Sequence, residues 1–264
     1  MPLTMSESSI LYTIEGQVAR VLLNRPQVFN SFNREMALSL QEVLQDCKEN
    51  PEVRAIYLSG GGKAFCAGQD INELQGDDVP SFSTILNEHY NPIINRIIDL
   101  EKPVVCAVNG VAAGAGANLA LACDITVASE QASFIQAFSK IGLIPDSGGT
   151  YTLPRLIGRQ RASALMMLGD KIDANTAVQM GMIYKAFSAK SFEKESWGIA
   201  ERLSHMPTRA LGMIKKALIF SMTSDLDRQL SMETELQGSA SRTEDFKEGI
   251  QAFLEKRAPV FKGS

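Results

Sequence analysis

The segment from Val104 to Leu121 constrains this chain more than any other. It is the longest apolar run, yet Asn109, Asn118 and several glycines interrupt it. A membrane-crossing helix needs about 20 predominantly apolar residues, so this run predicts instead a buried strand over 103–108. A turn of small residues over 109–116 follows, and a helix continues through Leu121. Glycine and alanine at a strand-to-helix turn let a ligand oxygen approach backbone N–H groups closely. Those donors have no partner within the helix, and its dipole favours negative charge. Two of them aimed at one point make an oxyanion hole. Close packing of a helix on a sheet would also select small residues, and the pattern alone leaves both readings open. Gly114-Ala115-Gly116 opens a helix as a dinucleotide fingerprint does, but Leu119 stands where that motif needs Gly or Ala. Gly60-Gly61-Gly62-Lys63 lacks the spacing of a phosphate loop.

Periodicity sets the rest of the chain around this unit. Residues 18–23 read as a strand ended by Asn24-Arg25-Pro26. Asn33 caps a helix carrying Met36, Leu40, Val43 and Leu44 at helical spacing, and Asn50-Pro51 stops it. A second strand spans 53–58, the three glycines from Gly60 form a turn, and a polar loop covers 76–79. A helix follows over 83–100, then strands over 123–128 and 134–138. Beyond Pro145 helical patterns dominate, over 158–168, 174–180, 192–204, 208–221, 225–240 and 244–255. Strands alternating with helices, then a helical tail, predict an α/β fold with an appended helical region.

Composition narrows the function classes. A length of 264 residues suits one large α/β domain, and a net charge of −4 gives no global basic field for nucleic acid or anionic membrane. Cys47, Cys66, Cys106 and Cys123 show neither a Cys-x-x-Cys pair nor a disulfide framework, and read as small buried hydrophobes in a reducing compartment. Residues 1–9 carry no basic-then-apolar targeting pattern, so the cytoplasm is expected. His89 and His205 stand alone, and no His/Cys/Asp cluster has metal-ligand spacing.

Five motifs then carry a resemblance that covers nearly the whole chain, from about Ile10 to Phe261. They are Leu23-Asn24-Arg25-Pro26; Phe65-Cys66-Ala67-Gly68-Gln69-Asp70-Ile71; Val105-Cys106-Ala107-Val108-Asn109-Gly110-Val111-Ala112-Ala113-Gly114-Ala115-Gly116; Cys123-Asp124; and Gly142-Leu143-Ile144-Pro145 with Gly148-Gly149-Thr150. In this order they resemble the crotonase, or enoyl-CoA hydratase/isomerase, family. The resemblance implies a ClpP-like α/β spiral of ββα turns over residues 1–200 and a C-terminal helical trimerisation region over 201–264. The assembly would be a homotrimer or a hexamer. The substrate would be an acyl-CoA thioester whose enolate is stabilised, with CoA arriving as part of the substrate and no separate cofactor. By motif position the backbone N–H groups of Gln69 and Ala115 would form the oxyanion hole. Ala67, Gly68, Asp70 and Ile71 would line the CoA site, and Gly114, Asn118, Phe138 and Leu143 would also contact the substrate. Phe253 and Lys256 match residues that reach the CoA of a neighbouring subunit, where a core Phe and a solvated Lys are the plain alternative. Asp70 lies beside the hole, but the resemblance implies a structural role in its loop.

The acid/base positions separate the reactions. Classical hydratases use two glutamates to handle water, and the matching positions here are Asn118 and Phe138. Phe138 cannot titrate and Asn118 can only hydrogen-bond, which argues against efficient hydration. Asp146 occupies the position where related isomerases carry their acidic base. Ile144 and Pro145 flank it, and apolar surroundings would raise its pKa. Asp before Ser147-Gly148-Gly149 is also a plausible N-cap for a helix starting near Ser147, and the residues alone leave capping and catalysis open. The combination looks most like the ring-epoxide phenylacetyl-CoA isomerases of the family and is similar to those that shift an enoyl double bond from position 3 to 2. The leading expectation is an acyl-CoA isomerase using one carboxylate. A hydratase or other acyl-CoA lyase or hydrolase comes second, and a non-catalytic RNA-binding relative third.

Overall fold

The computed structural model describes residues 8–75 and 79–264. Most of the polar loop expected over 76–79 lies outside the described residues. The chain begins with β1 (Ile10–Glu15), which pairs antiparallel with β2 (Val18–Leu23) through a turn at Gly16. Sequence periodicity missed β1 because it is an edge strand, half-exposed along most of its length. Helix α1 (Arg34–Glu49) follows, and the Asn33 side chain accepts the Met36 N–H as its N-cap.

A repeated turn then builds the molecule. β3 (Ala55–Gly60) enters a large sheet, β4 (Ala64–Cys66) a small one, and a helical segment returns the chain. That segment is α2 (Phe82–Thr84), a π-turn (Ile85–Tyr90) and α3 (Asn91–Asp99). The Asn91 N–H reaches back to the Leu86 carbonyl, a wide turn placed just before Pro92. The next unit is β5 (Val104–Val108), β6 (Val111–Ala113) and α4 (Ala115–Leu121). The third is β7 (Ile125–Ser129), β8 (Ser133–Ile135), a 3-10 turn (Ala137–Ile141) and α5 (Gly149–Ile157). This is the expected spiral of ββα turns. The strand read over 134–138 is shorter because the chain tightens after Ile135. Pro154 inside α5 masked that helix, so only α6 (Arg159–Leu168) was legible there.

Short elements close the sheets: β9 (Lys171–Asp173), α7 (Ala174–Gln179) and β10 (Lys185–Phe187). The large sheet runs β1-β2-β3-β5-β7-β10 and is parallel apart from the first pair; the small one runs β4-β6-β8-β9. β3 and β5 are buried on both faces, which explains their continuous apolar sequence. Ile56, Leu58, Cys106 and Val108 face the core shared with α1, α3 and α4. Tyr57, Val105 and Ala107 face the other way, under α8 (Phe192–Ser204). The boundary expected at 200/201 falls inside α8, which packs on the large sheet through Ala200 and Leu203.

The remaining helices are α9 (Thr208–Ser221), α10 (Leu226–Ala240) and α11 (Glu244–Glu255). Lys215 fastens α9 to the core, donating to the Ile97 carbonyl at 2.6 Å and to Asp124 at 2.9 Å. Asp124 also accepts the Val104 N–H at 2.8 Å, which gives the Cys123-Asp124 motif a structural job. α9 and α10 pack on each other and leave Ile214, Leu218, Leu226 and Leu230 exposed. All four cysteines are free, and burial pushes the Cys66 thiol up to about 12. Among the described residues, no helix is long and apolar enough to cross a membrane, and no group of three or more His, Cys, Asp or Glu could hold a metal.

Candidate active site

Two chain segments meet at the ends of β4 and β6. Gly68, at φ +92°, lies so close to the second segment that a Cβ there would stand 3.0 Å from the Ala113 carbonyl and 3.5 Å from the Ala115 nitrogen. The Gly68–Gln69 peptide therefore rests against the Gly114–Ala115 peptide. Gly116 permits the approach, since a Cβ on it would fall 2.4 Å from the Cys66 carbonyl oxygen. The N–H groups of Gln69 and Ala115 have no acceptor among the described residues. That is unusual for the buried Ala115 in particular, since buried backbone donors are nearly always paired. Ala67 and Ile71 beside them are exposed, and Gly114 is half-buried.

The first segment is held rigidly. Phe32 donates to the Gly68 carbonyl at 2.7 Å, and the Asp70 N–H returns to the Phe32 carbonyl at 2.8 Å. Asp70 is buried and its carboxylate is fully engaged: Arg25 at 2.9 Å, and the Asn72 backbone N–H at 3.1 Å. Arg25 also donates to the Ser31 carbonyl at 2.6 Å. The Asn24-Arg25-Pro26 motif thus braces the loop from behind. The Gln69 side chain accepts from the Tyr90 hydroxyl at 2.9 Å and donates to Glu73 at 3.1 Å.

Asp146 sits in a tight turn before α5. The Gly149 N–H closes the turn onto the Asp146 carbonyl at 2.8 Å. Ser147 and Gly148 at its centre both have positive φ, +49° and +74°, the pattern of a type I′ turn. α5 starts at Gly149 with Gly148 as its N-cap and no side-chain capping bond. The Asp146 carboxylate therefore does not cap a helix; it accepts from the Ser147 hydroxyl at 2.8 Å. Burial raises its pKa, and the Ser147 bond offsets part of that rise. Ile144 does not supply the apolar surroundings, because its side chain is 80% exposed.

Phe138 and Asn118, expected from the sequence at the positions of the hydratase glutamates, are placed differently from each other. The Phe138 ring is buried, and its edge lies 3.6 Å from where a side chain on Gly114 would begin. The Leu143 N–H bonds to the Phe138 carbonyl at 3.0 Å, so the half-buried Leu143 follows that ring. Asn118 is 1% exposed, and both ends of its amide are taken by the protein: Nδ2 donates to the Asp146 carbonyl and Oδ1 accepts from Gln136, each at 2.8 Å. Phe253 is 81% exposed on α11, and Lys256 forms that helix's left-handed C-cap. Among the described residues, no hydrogen bond or ion pair joins α11 to β4, α4 or the Asp146 turn.

Sequence reading missed Tyr90, Gln136 and Ser147. Tyr90 is buried, and burial followed by nearby negative groups, Asp146 among them, holds its phenol well above the usual range. Its only local signal was an aromatic residue two positions before Pro92. Gln136 gave none, since a lone Gln in a short strand reads as solvent-facing.

A protein-family model described as "Enoyl-CoA hydratase/isomerase" matches residues 13–264. The chain is 44% identical over 96% of its length, and 98% of the relative's, to the 1,2-epoxyphenylacetyl-CoA isomerase of Escherichia coli K12. It is 42% identical, over 98% of its length and all of the relative's, to a probable enoyl-CoA hydratase of Rhodobacter capsulatus. Identity is 37%, over the same shares, to a trans-2-decenoyl-[acyl-carrier-protein] isomerase of Streptococcus mutans. A crystal structure of an enoyl-CoA hydratase from Bacillus anthracis superposes with a TM-score of 0.92 at 33% identity, covering 97% of this chain and all of that one.

Proposed function

The chain belongs to the enoyl-CoA hydratase/isomerase family, and on that premise we propose that it isomerises an acyl-CoA thioester with the Asp146 carboxylate moving the proton. The N–H groups of Gln69 and Ala115 would hold the thioester oxygen, strengthening as the oxygen gains negative charge; such donors are typically worth about 3–4 kcal/mol each in the transition state. On a 3-enoyl thioester Asp146 removes the proton from C2, which leaves a dienolate with its charge on the held oxygen. The same proton returns at C4, and the double bond now lies between C2 and C3. Hydrogen count and mass are unchanged. A ring-epoxide phenylacetyl-CoA is the other substrate class this reading includes.

The observation that carries the reading is the state of Asp146. Its carboxylate caps no helix, burial raises its pKa, and the side-chain hydrogen bond it accepts comes from the Ser147 hydroxyl. A half-buried carboxyl so placed is a stronger base than a solvated one. Two relatives named as isomerases support the same reaction class. CoA would arrive with the substrate and no further cofactor would be needed. On this reading the enzyme works in the cytoplasm as a trimer or hexamer, with Phe253 and Lys256 reaching the CoA of a neighbour.

A hydratase is the second reading, favoured by the relatives named as hydratases. Water at the site would need the groups that Phe138 and Asn118 replace. One experiment separates the two. A panel of 3-enoyl, 2-enoyl and epoxyphenylacetyl thioesters is followed by mass and ultraviolet spectra, where isomerisation leaves the mass unchanged and hydration adds one water. Asp146→Asn should lower isomerase turnover by at least about 10²-fold with CoA binding retained. Full activity in that variant would give the base role to another residue.

A further inference from the structure

We propose that Asn118 is a positioning residue for Asp146, and that Gln136 fixes it in that role. This rests on the reading of Asp146 as the base. Gln136 donates to Asn118 Oδ1, and Asn118 Nδ2 donates to the Asp146 carbonyl, each at 2.8 Å. The two amides are 4% and 1% exposed, so neither link competes with bulk water. The same Asp146 carbonyl accepts the Gly149 N–H at 2.8 Å. A Cβ at Gly149 would stand 2.3 Å from Asn118 Nδ2; only glycine lets the amide come this close.

The turn needs an external hold. Ser147 is a buried non-glycine residue at φ +49°, a left-handed conformation that L-residues disfavour. Left to itself the turn would relax and carry the neighbouring carboxylate with it. Asn118 opposes that, and it stands on α4, the helix whose first residue is Ala115. One short helix therefore sets both the amide proposed for the oxyanion and the carbonyl of the residue carrying the base. The spacing between oxygen site and base becomes a property of α4 rather than of a loop. The position that carries a titrating glutamate in classical hydratases has here become an anchor, with both ends of its side chain committed to the protein.

The test uses the full-length enzyme with 3-hexenoyl-CoA, comparing Asn118→Ala, Asp146→Asn, the double variant and Gln136→Leu. A misplaced reacting group costs up to about 10²-fold, so Asn118→Ala should lower kcat about 10-fold with KM changed less than about twofold. In the Asp146→Asn background the same substitution should change residual turnover by less than about twofold, because no base remains to be placed. Freed from the anchor, the Asp146 carboxyl gains water, and the acid limb of kcat/KM should move to lower pH. Gln136→Leu, which leaves the Asp146 contact intact, should shift kcat in the same direction by a smaller factor, and it stands in if Asn118→Ala does not fold. An equal loss in both backgrounds, or an unchanged kcat and acid limb beside a lowered Tm, would reduce Asn118 to a purely structural residue. If Asp146→Asn itself keeps full activity, the failure lies in the base assignment instead.

Discussion

A Cβ on Gly68 would stand 3.5 Å from the amide nitrogen of Ala115, so the two segments flanking the proposed oxyanion site meet with no space for a side chain between them. Gly68→Ala adds that atom, at a φ of +92° that L-residues rarely adopt. Turnover should fall by about 10²-fold as the two amides are pushed apart. Steady-state kinetics beside a melting curve test it; parent kcat in the folded variant would detach these segments from the chemistry.

The pH dependence of Asp146 has a definite sign. Burial raises its carboxyl above the ordinary aspartate range, so the folded state binds this proton more tightly than the unfolded chain. Stability contributed at this site then falls as pH rises from the unfolded pKa through the folded one. Asp146→Asn should raise Tm near neutral pH, and the difference should vanish below the unfolded pKa. Activity runs the opposite way, being lost as pH falls through the raised folded pKa. A Tm lowered at neutral pH by Asp146→Asn would contradict this assignment.

Hydration should be poor. Phe138 stands beside Gly114 and cannot titrate, and the Asn118 amide is fully committed. Loss of a positioned acid or base costs about 10²–10⁴-fold each, so crotonyl-CoA should be hydrated far more slowly than a 3-enoyl-CoA is isomerised. Parity between the two rates, measured on one preparation, would show that water is handled by other groups.

Arg25 and Asp70 form a largely buried ion pair, with side chains 17% and 8% exposed. Removing one partner of such a pair leaves the other charge unpaired and costs about 3–5 kcal/mol. Arg25→Met should therefore lower denaturation midpoints strongly, and Arg25→Met with Asp70→Asn should recover part of the loss. Equal midpoints for parent and Arg25→Met would mean the loop is braced by its backbone bonds alone.

Exposed Ile214, Leu218, Leu226 and Leu230 on the α9–α10 pair form an apolar surface suited to association with further copies. Sedimentation should give a trimer or hexamer, and Leu218→Glu should shift it toward monomer. Phe253→Ala should raise KM for the thioester with little effect on kcat. A parent protein that sediments as a monomer at full activity would overturn this.

The strands, the small-residue turn and most helix limits were legible because each is a local pattern. The apolar run Val104–Val108, the Asn33 cap and the glycines around Ala115 act on their own backbone. β1 and α5 were not legible, the first because an edge strand need not alternate strongly, the second because Pro154 breaks the helical pattern. Asp70 and Asp146 show the limit most clearly. Both are an Asp beside a glycine-rich turn in sequence, yet one is locked in an ion pair with Arg25 while the other pairs with no cation and accepts from the Ser147 hydroxyl among the described residues.

By itself the sequence determined the family, the α/β spiral and the residues able to titrate, because those follow from residue type, spacing and motif order. Only the tertiary structure decided what each polar group is bonded to. Asn118 meets Asp146 across 28 residues and Gln136 across 18, and Tyr90 meets Gln69 across 21. No local period encodes such pairs. They form when packing removes water from both partners and leaves each the other's best hydrogen bond, and that choice fixes whether an amide or a carboxylate serves the scaffold or the substrate.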